Sequence, residues 1–345
     1  MNHRWMMAAL VAAWTCGAAP ALAAAPDALR IGYHAAWTGQ GEIFETLAHT
    51  NILQLNGIEP KFTVFAYGGP LGEALVAGDL DVGLAADVPI LRAVARRDGW
   101  KVVSRTHDWN WVLMARPDSG IRTFRDLRGK RLAAPFGTST FPRAYRRLLK
   151  EGFKDPFHEM TITNLDLAQE VPALQAGSVD AIVTWAPTSE KAVETGAAKV
   201  IAQGEPGDGL SWQALGPNVL ADRRLAVRYL KSYILAVWWA SNHLDQAQRW
   251  YAKTSGLSPE LLKRCAKEDR YLRAPVKSIR GIDLAIRPSE IREVQGVMDF
   301  LVQQNLLHAN IDVGGLVDGS LIAEAQREAR QVSAAQLAAI RVTAP

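Results

Sequence analysis

Cysteine is scarce in this chain of 345 residues, which has only Cys16 and Cys265. Cys16 lies in a segment that we expect to be removed, so the mature chain keeps a single thiol and forms no internal disulfide. The histidines are isolated, and the sequence has neither paired cysteines nor a His-Glu-x-x-His motif. These absences exclude a disulfide scaffold and a cysteine-ligated metal cluster, and we expect no metal site and no cofactor.

A dominant charge is also missing, because 39 basic residues face 35 acidic ones, for a formal net charge of +4. This balance argues against a nucleic-acid-binding protein built on a basic face. Beyond the N-terminus, no apolar run is long and charge-free enough to predict a membrane span; Ser232–Ser241 is closed by Lys231 and His243. With 48% hydrophobic residues and enough length for two lobes of about 150 residues, the chain should be globular.

The N-terminus has the pattern of a secretory signal peptide. Arg4 precedes an apolar stretch from Trp5 to Cys16, and the segment Pro20–Ala23 supplies the small residues of a cleavage site. An uncleaved anchor would need about 20 apolar residues, and this run is shorter. A lipid anchor on Cys16 lacks the small residues that should precede it. We therefore predict that residues 1–23 are removed near Ala23 and that the product is exported.

Strand and helix patterns alternate through the first two thirds of the chain, which predicts an α/β architecture. Within it, Ala74–Asp81 matches Ala173–Asp180 at an offset of 99 residues, with Ala, Leu, Ala, Gly and Asp in register. Each copy reads as a helix ended by glycine and followed by a strand. The repeat favours two lobes of similar build.

After residue 217 helical patterns dominate, and we expect these helices to pack on the first lobe. The chain should cross between lobes twice, near His107–Trp111 and near Ser211–Gly216, which makes a hinge. The predicted division is residues 24–108 with 214–345 for lobe 1 and 109–213 for lobe 2.

A turn rich in hydroxyl groups, Thr138-Ser139-Thr140, follows a predicted strand and precedes a helix. Free amides at a helix start, the helix dipole and neighbouring hydroxyls together suit an oxyanion. The alternative is an ordinary capping turn, which any serine or threonine before a helix provides.

Other turns should border the same cleft, because ligands of open α/β sheets bind at the carboxyl ends of the strands. Gly69 and Pro70 form a glycine-rich turn that lacks the lysine of a phosphate P-loop, so nucleotide binding is disfavoured. Asp87 begins a second turn, where it could equally be a helix N-cap. Tryptophans in turns or at the crossings offer flat apolar walls for a small organic ligand: Trp109, Trp111, Trp185 and Trp212.

The sequence contains few features of a catalytic site. Ser139 has no Gly-x-Ser-x-Gly context, and no residue cluster resembles an assembled active site, so we predict that the protein is not an enzyme.

An ordered set of short motifs resembles the periplasmic solute-binding proteins of the nitrate/sulfonate/taurine ABC-importer family. The motifs are Tyr67–Pro70, Glu73–Gly83, Asp87–Pro89, Asp118–Ile121, Asp126–Arg131, Gly137–Ser139 and Val179–Pro187. The resemblance runs from about Leu29 to Ala323, and Pro135-Phe136 and Thr254–Leu257 look most like its taurine/alkanesulfonate branch. It implies a type II periplasmic-binding-protein fold, with two α/β lobes joined by a two-crossing hinge.

Carried over by motif position, the resemblance implies a set of ligand contacts in the cleft. These are Tyr33, His34, Pro70, Asp87, Thr138, Ser139, Thr140 and Trp185. The full predicted set of ligand-binding residues adds Trp37, Gly69, Trp109, Trp111 and Trp212. The sequence departs from taurine binders at Ala214–Asn218, where no acidic residue is available for an ammonium group. Ala86 also replaces the usual glycine before the Asp-x-Pro turn.

We therefore expect a monomeric periplasmic binding component of an ABC importer that delivers a small organic anion to an inner-membrane permease with its ATPase. Aliphatic and aryl sulfonates, taurine included, are the expected ligands. The alternatives are nitrate, bicarbonate, a thiamine-pyrimidine precursor, a ligand sensor of the same fold, or an enzyme of that fold.

Overall fold

The computed structural model describes residues 27–34, 37–205 and 208–343. The predicted signal peptide and its cleavage site near Ala23 lie outside the described residues. The strands are β1 (Asp27–His34), β2 (Ile58–Phe65), β3 (Val82–Ala86), β4 (Lys101–Trp109), β5 (Trp111–Ala115), β6 (Arg131–Ala134), β7 (Thr161–Asn164), β8 (Ala181–Trp185), β9 (Lys199–Gln203) and β10 (Gly209–Leu215).

Helices connect the strands and dominate the C-terminal part. They are α1 (Gln40–His49), α2 (Ile52–Leu55), α3 (Gly68–Ala77), α4 (Asp87–Val94), α5 (Thr140–Lys150), α6 (Pro156–Glu159), α7 (Leu167–Gln175), α8 (Thr188–Glu194), α9 (Pro217–Leu220), α10 (Arg223–Asn242), α11 (Leu244–Ser255), α12 (Pro259–Cys265), α13 (Pro288–Gln303), α14 (Val313–Leu316), α15 (Ser320–Ala329) and α16 (Ala334–Ala338). Short 3-10 helices cover Phe124–Leu127, Ala266–Glu268 and Ile279–Gly281.

Two five-stranded sheets define the two lobes. The first lobe is built on the order β2-β1-β3-β10-β4 and the second on β7-β6-β8-β5-β9. In each sheet three parallel strands are followed by one that runs antiparallel to its neighbours, β10 in the first lobe and β5 in the second. Strands β3 and β8 are buried along their whole length, as expected of central strands covered by helices on both faces. The chain has the predicted α/β fold of two lobes joined by two crossings.

The second crossing lies earlier than the sequence analysis placed it. We expected the return near Ser211–Gly216, but Gly209–Leu215 is strand β10, buried throughout and paired with β3 and β4. The chain therefore returns between Gln203 and Gly209. The first crossing, at Asn110 between β4 and β5, falls where it was expected. The lobe boundaries given above remain a prediction.

Two long helical patterns are each divided in the structure. The spacing of apolar residues predicts one helix over Glu42–Leu55 and another over Arg224–Ala252. The structure has α1 and α2 in the first range, and α10 and α11, which meet at His243, in the second. Helix α10 packs against α1 and α15, and its buried face is the centre of the first lobe's core. The C-terminal helices thus support the first lobe, whereas the second lobe is organised around smaller apolar clusters.

None of the helices in the described ranges combines the length and apolar character that a membrane span requires.

Candidate functional site

A small cavity lies where the carboxyl ends of strands from both sheets approach each other. It is partly open and is lined by His34, Trp37, Gly68, Ala86, Pro89, Trp109, Thr138, Ser139, Thr140 and Trp185. His34 ends β1, Trp109 ends β4 and Trp185 ends β8, while the hydroxyl turn leads into α5. Both lobes therefore contribute side chains to one partly open cavity.

The cavity wall carries hydrogen-bonding nitrogens that the described protein atoms leave unpartnered. They are Nε2 of His34 and Nε1 of Trp37 and Trp109, all buried. His34 stacks on Trp37 with ring centroids 5.0 Å apart, and Trp37 meets Trp109 edge-on at 5.5 Å. Because a buried polar group without a partner costs free energy, these nitrogens point to a ligand that accepts hydrogen bonds.

The two histidines at this site are held neutral. Burial lowers the pKa of His34 to about 3, with a further contribution from His107, and burial with the nearby Arg105 charge lowers the pKa of His107 equally far. A neutral imidazole has one donor and one acceptor nitrogen. His34 thus offers the cavity a hydrogen bond without a positive charge.

Hydrogen bonds within the hydroxyl turn show which side chain is free to donate. Thr138 Oγ1 donates to Pro135 O at 2.7 Å, and the Thr138 and Thr140 hydroxyls bond each other at 3.0 Å. Since each hydroxyl has one hydrogen, Thr140 donates to Thr138 and both hydrogens are used. Ser139 Oγ instead accepts a bond from Val88 N at 3.0 Å, so its own hydrogen remains available to a ligand.

Helix α5 begins at this turn without a capping bond from a side chain of the described chain. Its first amides and the positive end of its dipole therefore face the region where Ser139 lines the cavity. In the first lobe the corresponding helix, α1, is different: Glu42 Oε2 accepts a bond from Gly39 N at 2.7 Å. Helix α3 of the first lobe also begins without a side-chain cap, at Gly68, so uncapped helix starts of both lobes lie at the cavity.

A buried ion pair lies behind the cavity wall and joins the lobes. Arg143 Nη2 contacts Asp87 Oδ2 at 2.5 Å, and Nη1 contacts Oδ1 at 3.2 Å. Asp87 begins α4 and Arg143 lies in the first half of α5. The described residues that line the cavity include no carboxylate, lysine or arginine. The space therefore offers neutral donors rather than charges.

Other buried residues bond the backbone amides of His34 and Trp37. Gln40 Oε1 accepts a bond from His34 N at 2.8 Å, and the Tyr251 hydroxyl accepts one from Trp37 N at 3.0 Å. Tyr251 belongs to α11, more than 200 positions away along the chain. The C-terminal helices thus hold the first-lobe side of the cavity in place.

The structure brings together only part of the predicted contact set. The predicted residues that line the cavity are His34, Trp37, Trp109, Thr138, Ser139, Thr140 and Trp185. Tyr33 does not line it, because alternation along β1 turns its ring into the first lobe's core, where it stacks on Phe44 at 4.7 Å. Trp212 is completely buried among first-lobe side chains, since β10 is an internal strand of that sheet.

Four further predicted contacts lie beside or behind the cavity. Gly69 borders a separate surface groove, whereas its neighbour Gly68 lines the cavity. Pro70 lies in the first turn of α3 without lining the cavity. Trp111 packs into the second lobe's core, and Asp87 is wholly occupied by its ion pair.

Sequence reasoning missed Arg143, Gln40 and Tyr251. Arg143 had a detectable signal, because it follows Ser139 by four positions and shares its helix face. Nothing in the local sequence marks Gln40 or Tyr251. The described residues contain no group of three or more His, Cys, Asp or Glu side chains placed to hold a metal ion.

Comparison with known proteins agrees with this architecture. A family model described as "ABC transporter, phosphonate, periplasmic substrate-binding protein" matches residues 51–230. The chain is 27% identical over 283 residues to a Bacillus subtilis (strain 168) protein named for binding aliphatic sulfonates, covering 79% of this chain and 80% of that protein. A similarly named Escherichia coli (strain K12) protein is 31% identical over 252 residues, covering 69% and 75%.

Solved structures show the same two-lobed fold. The alkanesulfonate-binding protein SsuA from Xanthomonas axonopodis pv. citri, bound to MOPS, superposes with a TM-score of 0.71 at 25% identity, covering 86% of this chain and 100% of that one. A desulfurization enzyme, DSZB, shares the fold at 15% identity with a TM-score of 0.62, covering 88% and 99%. The fold by itself therefore does not separate binding from catalysis.

These matches, together with a cavity lined by residues of both lobes, define the class: a periplasmic substrate-binding protein of the ABC transporter type. The chain belongs to the family of ABC-transporter periplasmic substrate-binding proteins whose model it matches. Its role is that of the component that binds a solute for a membrane permease and its ATPase.

Proposed function

We propose that the protein captures a small organic sulfonate without an amine group and delivers it to an inner-membrane ABC importer. The observation that carries this proposal is the set of unpartnered neutral polar groups at one cavity: the Nε1 donors of Trp37 and Trp109, the Nε2 atom of His34 and the Ser139 hydroxyl. A sulfonate has three oxygens that only accept hydrogen bonds at neutral pH. The names of the relatives, which refer to aliphatic sulfonates, support the same ligand class.

The absence of charged side chains from the described cavity lining favours a sulfonate over a phosphonate. A phosphate-like group carries about −1.5 to −2 charges at pH 7 and is usually met by arginine or lysine. A sulfonate carries one charge and has no proton to donate. Neutral donors and an uncapped helix start are sufficient for it.

The lining also argues against taurine and against the smallest anions. Taurine would bring an ammonium group into a space without a lining carboxylate, and Asp87, between the lining residues Ala86 and Pro89 in sequence, is already bonded to Arg143. Nitrate and bicarbonate are flat and small, whereas indole rings of Trp37, Trp109 and Trp185 form apolar walls suited to an alkyl chain. A neutral pyrimidine would not use an open helix N-terminus.

We further propose that the protein is not an enzyme, that it acts as a monomer and that its leader is cleaved near Ala23. Ser139 is the obvious candidate nucleophile, but its hydroxyl contacts a backbone amide, and no described histidine or carboxylate bonds to it. A serine without an adjacent base is a weak nucleophile. A sensor role would use the same cavity, and it differs only in the membrane partner.

Isothermal titration calorimetry at pH 7 tests the ligand class. Ethanesulfonate, MOPS, taurine, methylphosphonate, sulfate and nitrate are titrated into the purified mature chain. We expect ethanesulfonate to bind with a Kd in the micromolar range, about −8 kcal/mol, and more tightly than taurine or methylphosphonate. Tenfold tighter binding of methylphosphonate, or binding of a neutral pyrimidine alone, would contradict the proposal.

The variant Ser139→Ala tests whether the Ser139 hydroxyl donates a hydrogen bond to the ligand. Loss of one hydrogen bond to a charged ligand should weaken ethanesulfonate binding by about 10- to 100-fold. Ser232→Ala is the control, because Ser232 is a buried serine of α10 whose hydroxyl bonds Arg228 O, and it does not line the cavity. Equal affinities for both variants and the wild type would show that Ser139 does not contact the ligand.

A further inference from the structure

The position of the ion pair between Asp87 and Arg143 indicates a role beyond holding the two lobes together. Its two side chains come from different lobes, and their exposed fractions are 0% and 5%. Both carboxylate oxygens are engaged, since Oδ1 accepts bonds from Val88 N and Arg143 Nη1, and Oδ2 contacts Arg143 Nη2. Asp87 consequently has no oxygen left for an incoming cation.

The pair also lies directly behind the binding cavity. Arg143 Nη1 donates to Ser139 O at 3.0 Å, and the guanidinium lies 5.8 Å from the ring centroid of Trp109. Ala86 and Pro89, on either side of Asp87 in sequence, line the same cavity. If either residue lost its partner, its charge would act on a bound ligand across the layer of side chains that lines the cavity.

Removing one partner therefore changes the charge that the ligand experiences. A unit charge within about 8 Å of an anion, at an effective dielectric constant of about 20, alters affinity on the order of thirtyfold. A lone Asp87 would repel an anion and attract an ammonium group. A lone Arg143 would attract every anion, dianions included, and would remove the selectivity for a single charge.

We propose that the Asp87–Arg143 pair is a specificity element: by holding the net charge behind the cavity at zero, it selects an amine-free monoanion and excludes amino-sulfonates. Arg143 keeps the one nearby carboxylate from binding an ammonium group. The proposal rests on the proposed function for its ligand class, and it deepens that function by assigning the discrimination to two residues outside the cavity lining.

Four proteins test the proposal: the wild type, Arg143→Met, Asp87→Asn, and the double variant. Calorimetry at low salt gives the affinity of each for ethanesulfonate and for taurine. We expect ethanesulfonate to bind Arg143→Met about thirtyfold more weakly than the wild type, and Asp87→Asn at least as tightly as the wild type. The double variant, which is neutral again, should return to within a few fold of the wild type.

The ratio of taurine affinity to ethanesulfonate affinity gives the second readout. It should rise at least tenfold in Arg143→Met, where Asp87 is released, and return to the wild-type ratio in the double variant. If Asp87→Asn and the double variant both weaken ethanesulfonate, the pair is only a structural contact between lobes. An unchanged taurine ratio in Arg143→Met also overturns the proposal.

Controls keep the test independent of folding and of ligand identity. If Arg143→Met does not fold, the double variant and Asp87→Asn still give the predicted order, and Arg143→Lys, which retains the charge, should keep ethanesulfonate affinity within tenfold. If the wild type binds sulfate instead of a sulfonate, the proposed function and the selection of a monoanion both fail; if it binds nitrate instead, only the proposed function fails. The order of the four proteins is then measured with that anion, and it decides this proposal separately.

Discussion

Each lobe has its own arginine–aspartate ion pair at the start of a strand, but the two lobes differ at the helix that faces the ligand. In the first lobe Arg30 bonds Asp81 through its backbone N, Nε and Nη2, at 3.0, 2.9 and 2.8 Å. In the second, Arg131 bonds Asp180 through the same three groups at 2.9, 3.1 and 2.8 Å. We call these the strand-start pairs.

The strand-start pairs explain the 99-residue sequence repeat. The glycine that ends each repeated helix, Gly78 or Gly177, has a positive φ, and the aspartate three positions later closes the pair. The same local chemistry therefore builds both lobes. Function instead depends on where they diverge: α1 begins with an amide bonded to Glu42, whereas α5 begins uncapped within the described chain, beside Ser139 and Arg143.

Breaking each strand-start pair should show that the first lobe carries more of the stability. Asp81 is the more buried of the two aspartates and also contacts Asn218 at 3.5 Å. We expect Asp81→Ala to cost about 2–3 kcal/mol and Asp180→Ala about 1–2 kcal/mol, measured by urea unfolding. Equal costs would mean that burial does not distinguish the two pairs.

The same pairs make stability fall in acid. Burial raises the pKa of Asp81, but the bonds from Arg30 outweigh it and leave the pKa below its usual range; bonds from Arg131 lower that of Asp180. A lowered carboxyl pKa contributes stability above the unfolded value, near 3.9, and loses it as pH falls through the folded value. The difference in stability between each alanine variant and the wild type should therefore shrink as the pH falls below the unfolded value.

Glu42→Gln tests the capped end of α1. Burial raises the pKa of Glu42 to about 7, although the amide of Gly39 opposes the shift. A raised carboxyl pKa gives stability that is complete below the unfolded value, near 4.3, and lost as pH rises through about 7. The variant keeps an acceptor for Gly39, so it should match the wild type at pH 4 and exceed it by about 3 kcal/mol at pH 8. Parallel pH profiles in thermal unfolding would refute the assignment.

Replacing Gly78 and Gly177 by alanine tests the same positive-φ backbone conformation in two different surroundings. Gly78 has φ of 87° and Gly177 has φ of 71°, so either substitution should cost about 1 kcal/mol through the backbone. At Gly177 a Cβ would also come within 2.7 Å of Arg116 Nη1, against 3.4 Å from Arg97 at Gly78. We expect Gly177→Ala to be the more destabilising by a few tenths of a kcal/mol in urea unfolding. The reverse order would show that Arg116 moves away freely.

The smallest effect should come from Tyr67→Phe, which removes an exposed bond between the lobes. The Tyr67 hydroxyl donates to Asp166 Oδ1 at 2.6 Å, and burial together with this bond raises the pKa of Tyr67 to about 12. Exposed bonds contribute little, so unfolding should change by about 0.5 kcal/mol or less. Ethanesulfonate affinity should fall by no more than about fivefold. A loss as large as that of Ser139→Ala would make Tyr67 part of the binding site.

Much of the fold follows from local patterns, because apolar periodicity and glycine stops mark the elements. The order of strands and helices through β8 and the hydroxyl turn before α5 were predicted on this basis. Strand β10 was not predicted, because the local sequence of an antiparallel strand that follows a crossing does not show which sheet the strand joins. The Tyr33 error has a related cause: alternation puts Tyr33 and His34 on opposite faces, but only the assembled sheet shows which face meets the ligand.

The sequence by itself determined two α/β lobes of similar build, an open helix start with hydroxyl groups, and a tryptophan-rich cleft. Only the tertiary structure decided that Thr138 and Thr140 bond each other, that Ser139 keeps a free hydrogen, and that Asp87 is neutralised by Arg143. The reason is physical. Periodicity and turn chemistry act over a few neighbouring residues, whereas the charge and the free donors of a site depend on contacts between segments that only packing brings together.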